Sequence, residues 1–201
     1  MKKRIITLIL TLSVIATACS GSDKSSERER RHTDSSSSED MNVEEATPKP
    51  VIDSSKFKVS HIGAFSSKDM DGNEVDESIF KNADYTMINL WGTFCGPCIN
   101  EMPELEEIHQ SLPDNIQMIG IVSDVYPDYD YSLQDAKDII SETGVTYTNI
   151  MCTYDLSDEF ANLMYVPTTI FVDSEGNVVC EVIEGADIQA YKDQIAKLSG
   201  N

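Results

Sequence analysis

Two cysteines in the pattern Cys95-Gly96-Pro97-Cys98 fall where an apolar run of strand length gives way to a helical pattern. That junction constrains the fold more than any other feature of the chain. The run is Tyr85-Thr86-Met87-Ile88-Asn89-Leu90-Trp91, followed by Gly92-Thr93-Phe94. Beyond the cysteines, Ile99, Met102, Leu105, Ile108 and Leu112 recur at helical spacing, with Glu101, Glu104, Glu106 and Glu107 largely on the other side. A strand that turns directly into a helix puts Cys95 at the helix N-terminus, where unpaired N–H groups favour an anion. A thiolate there can attack a disulfide in a partner, and Cys98, one turn on, can resolve the mixed disulfide. Cys95 is thus expected to be the exposed nucleophile and Cys98 the shielded resolver. The competing use of such a pair is metal, but tetrahedral zinc needs four ligands. There is no second pair, and the histidines are His32, His61 and His109. No metal site and no other cofactor is expected.

The elements around this junction define the fold class. A hairpin signal comes first, from Ala64-Phe65 through Met70-Asp71-Gly72-Asn73 to Glu74-Val75. After the active helix, residues 116–122 read as a second buried strand and 132–143 as a second helix. A short strand follows at 147–151 and a short helix at 156–163. A hairpin over 168–172 and 177–183 turns at Ser174-Glu175-Gly176, and a helix over 187–198 closes the chain. Strands alternating with helices and ending in a hairpin and helix indicate an α/β fold, a central mixed sheet with helices on both faces.

The chain divides into three zones. Lys2, Lys3 and Arg4 precede an uncharged run from Ile5 to Ala18, too short for a mature membrane span, so residues 1–18 read as a secretory signal peptide. Cys19 follows immediately, and the arrangement resembles the lipobox of bacterial lipoproteins, in which this Cys is lipidated; Ala16 stands where such boxes usually have Leu. Residues 19–50 form a tether rich in Ser, Glu, Asp and Arg that cannot bury enough apolar surface to order itself. Residues 51–201 hold one folded domain. The expected location is extracytoplasmic, on the outer face of the cell membrane through the lipid on Cys19.

The segment Asn89 to Cys98, continued by Glu101-Met102-Pro103-Glu104-Leu105, resembles the active-site region of thioredoxin-like proteins. It is nearest to the TlpA/ResA-like extracytoplasmic thiol–disulfide oxidoreductases, and the resemblance continues at Val166-Pro167-Thr168-Thr169. It implies a thioredoxin-like fold with an added N-terminal β-hairpin and an insertion between the second strand–helix units. By position, Pro167 matches the cis-proline beside the cysteines, and Val166 the residue whose backbone pairs with a substrate chain. Pro103 matches the proline that kinks the active-site helix. Gly96 and Pro97 agree with the Gly-Pro dipeptide of a reductant. Asn89 replaces the buried carboxylate that thioredoxin has six residues before its first active-site Cys. Glu101 is therefore assigned as the proton relay, the alternative being a solvated helix Glu like Glu104 or Glu106. Phe94 stands where the family most often has Trp, and it is expected to keep shielding the nucleophile. The implied activity is reduction of disulfides in exported proteins, with electrons from a membrane thiol transporter of the CcdA type. The protein is expected to act as a monomer.

Cys152 and Cys180 are expected on opposite sides of the central strand, which argues against a bond between them; Cys152 could instead approach Cys95 as a third redox thiol. Tyr126, Tyr129 and Tyr131, interleaved with Asp128 and Asp130, read either as a recognition loop or as a solvated acidic loop. Two other functions share the fold. A thiol peroxidase needs Thr or Ser three residues before its Cys, where this chain has Gly92, and a non-catalytic binding lipoprotein would keep the fold without the chemistry. Finally, 201 residues with 15 Lys+Arg against 35 Asp+Glu carry a net charge of −20, which argues against nucleic acid as a partner.

Overall fold

The computed structural model describes residues 59–200 apart from 130, 162 and 164. The expected signal peptide, Cys19 and the expected tether lie outside the described residues. Five strands form the main sheet in the order β5-β4-β3-β6-β7: β3 Tyr85–Trp91, β4 Ile116–Val122, β5 Thr148–Met151, β6 Thr168–Asp173 and β7 Ile183–Glu184. The helices are α1 Gly96–Gln110, α2 Leu133–Thr143, α3 Tyr154–Phe160 and α4 Ile188–Leu198. A separate antiparallel hairpin, β1 Ser66–Lys68 with β2 Glu74–Asp76, precedes them. Its turn carries Gly72 at φ 90° and is held by Asp69, whose carboxylate accepts the backbone N–H groups of Asp71 and Asn73.

Strands β3, β4 and β5 run parallel, while β6 is antiparallel to both β3 and β7, so the sheet is mixed. Its middle strands are largely apolar because both of their faces are covered. Along β3, Met87 and Trp91 enter one core and Ile88 and Leu90 the other. The first core takes Met102, Leu105 and Ile108 of α1, Ala136 of α2 and Tyr191 of α4. The second takes Leu156 and Phe160 of α3, with Phe80 of a short 3-10 helix at residues 77–82. Two successive crossovers that step the same way across a parallel sheet put their helices on one face, as α1 and α2 are here.

Three details depart from the sequence expectations. Helix α3 begins two residues early, because the Thr153 hydroxyl caps it by accepting the Leu156 N–H, and it ends at Phe160. The strand expected over 177–183 is reduced to β7. Val172 bridges Val178 and Thr169 pairs Ile183, so four residues of the second strand lie against two of the first, and the ladder breaks. Third, Glu106 does not lie on a solvated face: it is buried, and its carboxylate accepts the N–H of Thr146 (2.7 Å) and its hydroxyl (2.6 Å).

Candidate active site

The parallel register of β3 and β4 pairs Trp91 with Val122, so the turns that follow both strands lie side by side. Asp124, two residues past β4, accepts the backbone N–H of Thr93 at 3.0 Å and is hydrogen-bonded by its hydroxyl. This braces the turn that delivers Cys95, whose own N–H donates to Gly92 O at 3.0 Å. Asp124 was not singled out in the sequence, although the paired ends of two parallel strands could have pointed to it. Below the turn, the buried Trp91 indole donates to Asn149 Oδ1 at 2.9 Å. That pair needs Gly120, because a Cβ there would lie 2.0 Å from Asn149 Oδ1.

Cys95 is the N-cap of α1, its Sγ accepting the Cys98 N–H at 3.2 Å, and it is joined to Cys98 by a disulfide with Cα atoms 5.3 Å apart. Cys95 is 6% exposed and Cys98 1%. Cys95 is thus the less buried of the two, but it is not exposed as expected of the nucleophile. Its Sγ is turned inward onto Cys98 and lies 3.5 Å from Val166 O. The Val166–Pro167 peptide bond is cis. Pro103 lies inside α1, where it offers no N–H to the preceding turn.

Glu101 is 3% exposed, on the face of α1 turned toward the sheet. Its Oε1 accepts from Asn89 Nδ2 at 3.1 Å, and its Oε2 is 3.1 Å from the Tyr191 hydroxyl. Asn89 also donates to Thr169 Oγ1 at 3.1 Å; the two residues are direct partners across β3 and β6. Burial raises the Glu101 carboxyl from its ordinary 4.5 to about 7, against the opposing pull of the Asn89 and Tyr191 hydrogen bonds, with the nearby Glu104 adding to the rise. Such a group gains or loses a proton near neutral pH. Thr169 and Tyr191 were not foreseen as partners. The signal for Tyr191 was its place in the inward stripe of α4 with Ile188 and Ile195, where a phenol carries a polar tip into an apolar row.

Phe94 does not shield the disulfide. Its ring is 72% exposed, leaning over Gly92 at the edge of a groove of about 330 Å³. Leu90, Cys152, Phe160, Leu163, Tyr165 and Val166 also line this groove. Cys152 and Cys180 are free and pack against cores on opposite faces of the sheet. Burial pushes the Cys152 thiol up. In the tyrosine loop, Tyr126 packs on Tyr154 with ring centroids 5.7 Å apart, while Tyr129 and Tyr131 are exposed; Asp130 lies outside the described residues.

The architecture is that of solved thioredoxin-fold proteins. The thioredoxin domain of a thiol-disulfide oxidoreductase from Bacteroides vulgatus is 24% identical, covers 67% of this chain and 94% of its own, and superposes with a TM-score of 0.54. A thiol:disulfide interchange protein from Chlorobium tepidum, also 24% identical, covers 69% and 94% with a TM-score of 0.57. Among curated proteins, thiol-disulfide oxidoreductase ResA of Bacillus thuringiensis is 24% identical over 126 residues, 57% of this chain. ResA of Oceanobacillus iheyensis is 27% identical over 134 residues, 61% of this chain. The chain spans 62% and 65% of the length of these relatives. Residues 56–196, which hold the cysteine pair, the cis-proline and Glu101, match the Redoxin family, and the chain belongs to it.

Proposed function

We propose that this protein is a membrane-tethered extracytoplasmic thiol–disulfide oxidoreductase that reduces disulfides of exported proteins through Cys95 and Cys98. The observation that carries the reading is the arrangement at the head of α1, where a Cys95–Cys98 disulfide lies against Val166 and a buried carboxyl with a pKa of about 7 stands one turn on. In the dithiol state the Cys95 thiolate attacks one sulfur of a substrate disulfide. A mixed disulfide forms, and the other substrate sulfur leaves as a thiolate. Cys98 then gives its proton to the Glu101 carboxylate and attacks Cys95 Sγ. The Cys95–Cys98 bond closes and the second substrate sulfur leaves as a thiolate, so the substrate has gained two electrons and the dithiol has lost them. Val166 offers its backbone to the incoming chain beside Pro167. Phe94, with Gly96 and Pro97 exposed next to it, forms the contact surface.

The leader and Cys19 support export and lipid anchoring. A membrane dithiol carrier of the CcdA type fits as electron donor, since the disulfide must be reduced again from inside the cell. A disulfide-reduction assay on a protein substrate tests the activity. Cys95→Ser is expected to abolish turnover, and Cys98→Ser to stall with substrate trapped on Cys95. Turnover surviving in Cys95→Ser would refute the reading. Glu101→Gln should flatten the pH dependence of release near 7, and an unchanged profile would remove Glu101 from the mechanism. Mass spectrometry of the membrane fraction checks the anchor, the expected product being an N-terminal lipidated Cys19.

A further inference from the structure

The Tyr191 hydroxyl carries one hydrogen and stands between two acceptors, Gly185 O at 2.8 Å and Glu101 Oε2 at 3.1 Å. It can donate to only one of them. If Glu101 were a carboxylate, the second contact would set two lone pairs against each other in a buried site. If Glu101 is a carboxylic acid with its proton on Oε2, these three contacts are satisfied together: the acid donates to the phenol oxygen, which the Thr169 hydroxyl also faces, the phenol donates to Gly185 O, and Asn89 donates to Oε1. We infer that Tyr191 is a positioning residue that reads the protonation of Glu101: with the acid neutral it holds Gly185, and on ionisation it turns its single proton to Glu101 and lets Gly185 go.

The turn is feasible because Gly185 O keeps a second donor, the Asp187 N–H at 3.0 Å. It also reaches the cysteines. The Gly185 N–H donates to Pro167 O at 2.8 Å, and the residue before Pro167 contributes the carbonyl beside Cys95 Sγ. A continuous hydrogen-bonded chain thus runs from Glu101 on α1 through Tyr191 on α4 and Gly185 to the segment that faces the substrate. Its consequence for turnover rests on the thiol–disulfide reading. Closing the active-site disulfide leaves the proton of Cys98 on Glu101, so the newly oxidised site has Tyr191 on Gly185 until that proton is lost. The dithiol state with ionised Glu101 has Gly185 released.

The other groups facing Glu101 leave it as the one that titrates near neutrality. Cys98, one turn back on α1, is in the disulfide. Tyr147 ahead of β5 and Tyr191 itself are pushed up by burial and keep their protons. Asn89 of β3 and Thr169 of β6 are neutral, and Glu104 of α1 adds only like charge.

The test is a pH titration of the full chain in its disulfide form, following the carbonyl carbon of Gly185 and the side-chain carboxyl carbon of Glu101 by NMR. Both are expected to move together with a midpoint near 7. In Tyr191→Phe, which keeps the ring, the Gly185 signal should stop titrating. The Glu101 midpoint should rise by about one to two pH units, because the anion loses a charge-assisted donor. In Glu101→Gln, whose amide can donate where the acid does, the Gly185 signal should stay at its low-pH position throughout. A Gly185 carbonyl that stays still while Glu101 titrates, or that titrates unchanged in Tyr191→Phe, overturns the inference. Neither measurement requires turnover, so a failure here is separate from a failure of the proposed activity. If both hold, Tyr191→Phe should also shift the pH profile of disulfide reduction upward by the same amount.

Discussion

Glu101 is buried beside an amide and a phenol, and the one ion pair among the described residues, Lys68–Glu74, is elsewhere. A carboxyl in such a place resists ionisation, and the resistance is a stability effect. Its pKa is about 7 in the fold against an ordinary 4.5, so between those values the native state holds a proton that the unfolded chain has lost. Stability from this group is therefore complete below about 4.5 and drains away as the pH rises through about 7. The total is about 3 kcal/mol, from 1.36 kcal/mol per pKa unit. Glu101→Gln removes the ionisation while keeping the shape. At pH 8 the variant should be more stable than the parent by up to about 3 kcal/mol, and the difference should close toward pH 4.5. Urea unfolding of the disulfide form at the two pH values measures it, and a difference that does not depend on pH would show that Glu101 is not held neutral. A site that holds a proton near neutral pH thus gives up stability as it loses that proton.

At the scale of elements, α1 carries a second buried carboxylate with the opposite sign. Glu106 ties the helix to the segment ahead of β5 through Thr146, and despite the cost of burial the Thr146 and Gln110 hydrogen bonds and nearby His109 hold its carboxyl below the ordinary value. A lowered pKa contributes stability above the unfolded value that is lost as pH falls through the folded one. Glu106→Gln should therefore cost about 1.5–3 kcal/mol at pH 7, where a charged acceptor is lost, and much less in acid. Thermal unfolding at pH 7 and pH 3 checks this; equal losses at both would assign the effect to packing. Glu101 could be singled out by its place three residues after Cys98 and by the resemblance, but the burial of Glu106 was not legible, because helical spacing does not say which carboxylate finds donors on a neighbouring segment. Strands β3 and β4 were legible to the residue, since burial on both faces writes a continuous apolar run. Strand β7 was not, because Val178, Val179, Val182 and Ile183 suit a strand while a two-residue mismatch in pairing breaks the ladder. The cysteine pair and Pro167 could be read from local motifs. Asp124, Thr169 and Tyr191 could not, because each acts through a partner that only the folded sheet brings near.

Over the whole molecule, the negative charge gathers in the stretch of chain that holds the cysteine pair. Residues 82–191, which hold the cysteines, the cis-proline, Glu101 and every strand of the main sheet, contain 20 Asp+Glu, one lysine, Lys137, and no arginine. The exposed aromatic side chains Phe94, Tyr129, Tyr154 and Tyr165 belong to this same stretch, and Phe94 and Tyr165 line the groove beside the disulfide. Faces of tyrosine and phenylalanine attract cations, and a field of carboxylates raises the local concentration of cationic partners. A substrate whose disulfide is flanked by Lys or Arg should therefore be reduced faster than one flanked by Asp or Glu. Two peptide disulfides of equal length, one with a charge of about +3 and one of about −3, separate the charge effect from intrinsic sulfur chemistry once a small neutral disulfide is run beside them. The expected preference is about 10-fold or more in kcat/KM at 10 mM salt, carried by the encounter rate. It should shrink toward unity at 1 M salt, where the Debye length is about 3 Å. A preference that survives high salt would place the discrimination in direct contacts within the groove. No preference at low salt would mean that the acidic surface does not select the partner. The same field also repels anionic lipid, so the proposed tethering at a membrane calls for a lipid on Cys19 rather than an electrostatic contact. Removal of Cys19 by Cys19→Ser should release the protein from the membrane fraction at any salt concentration.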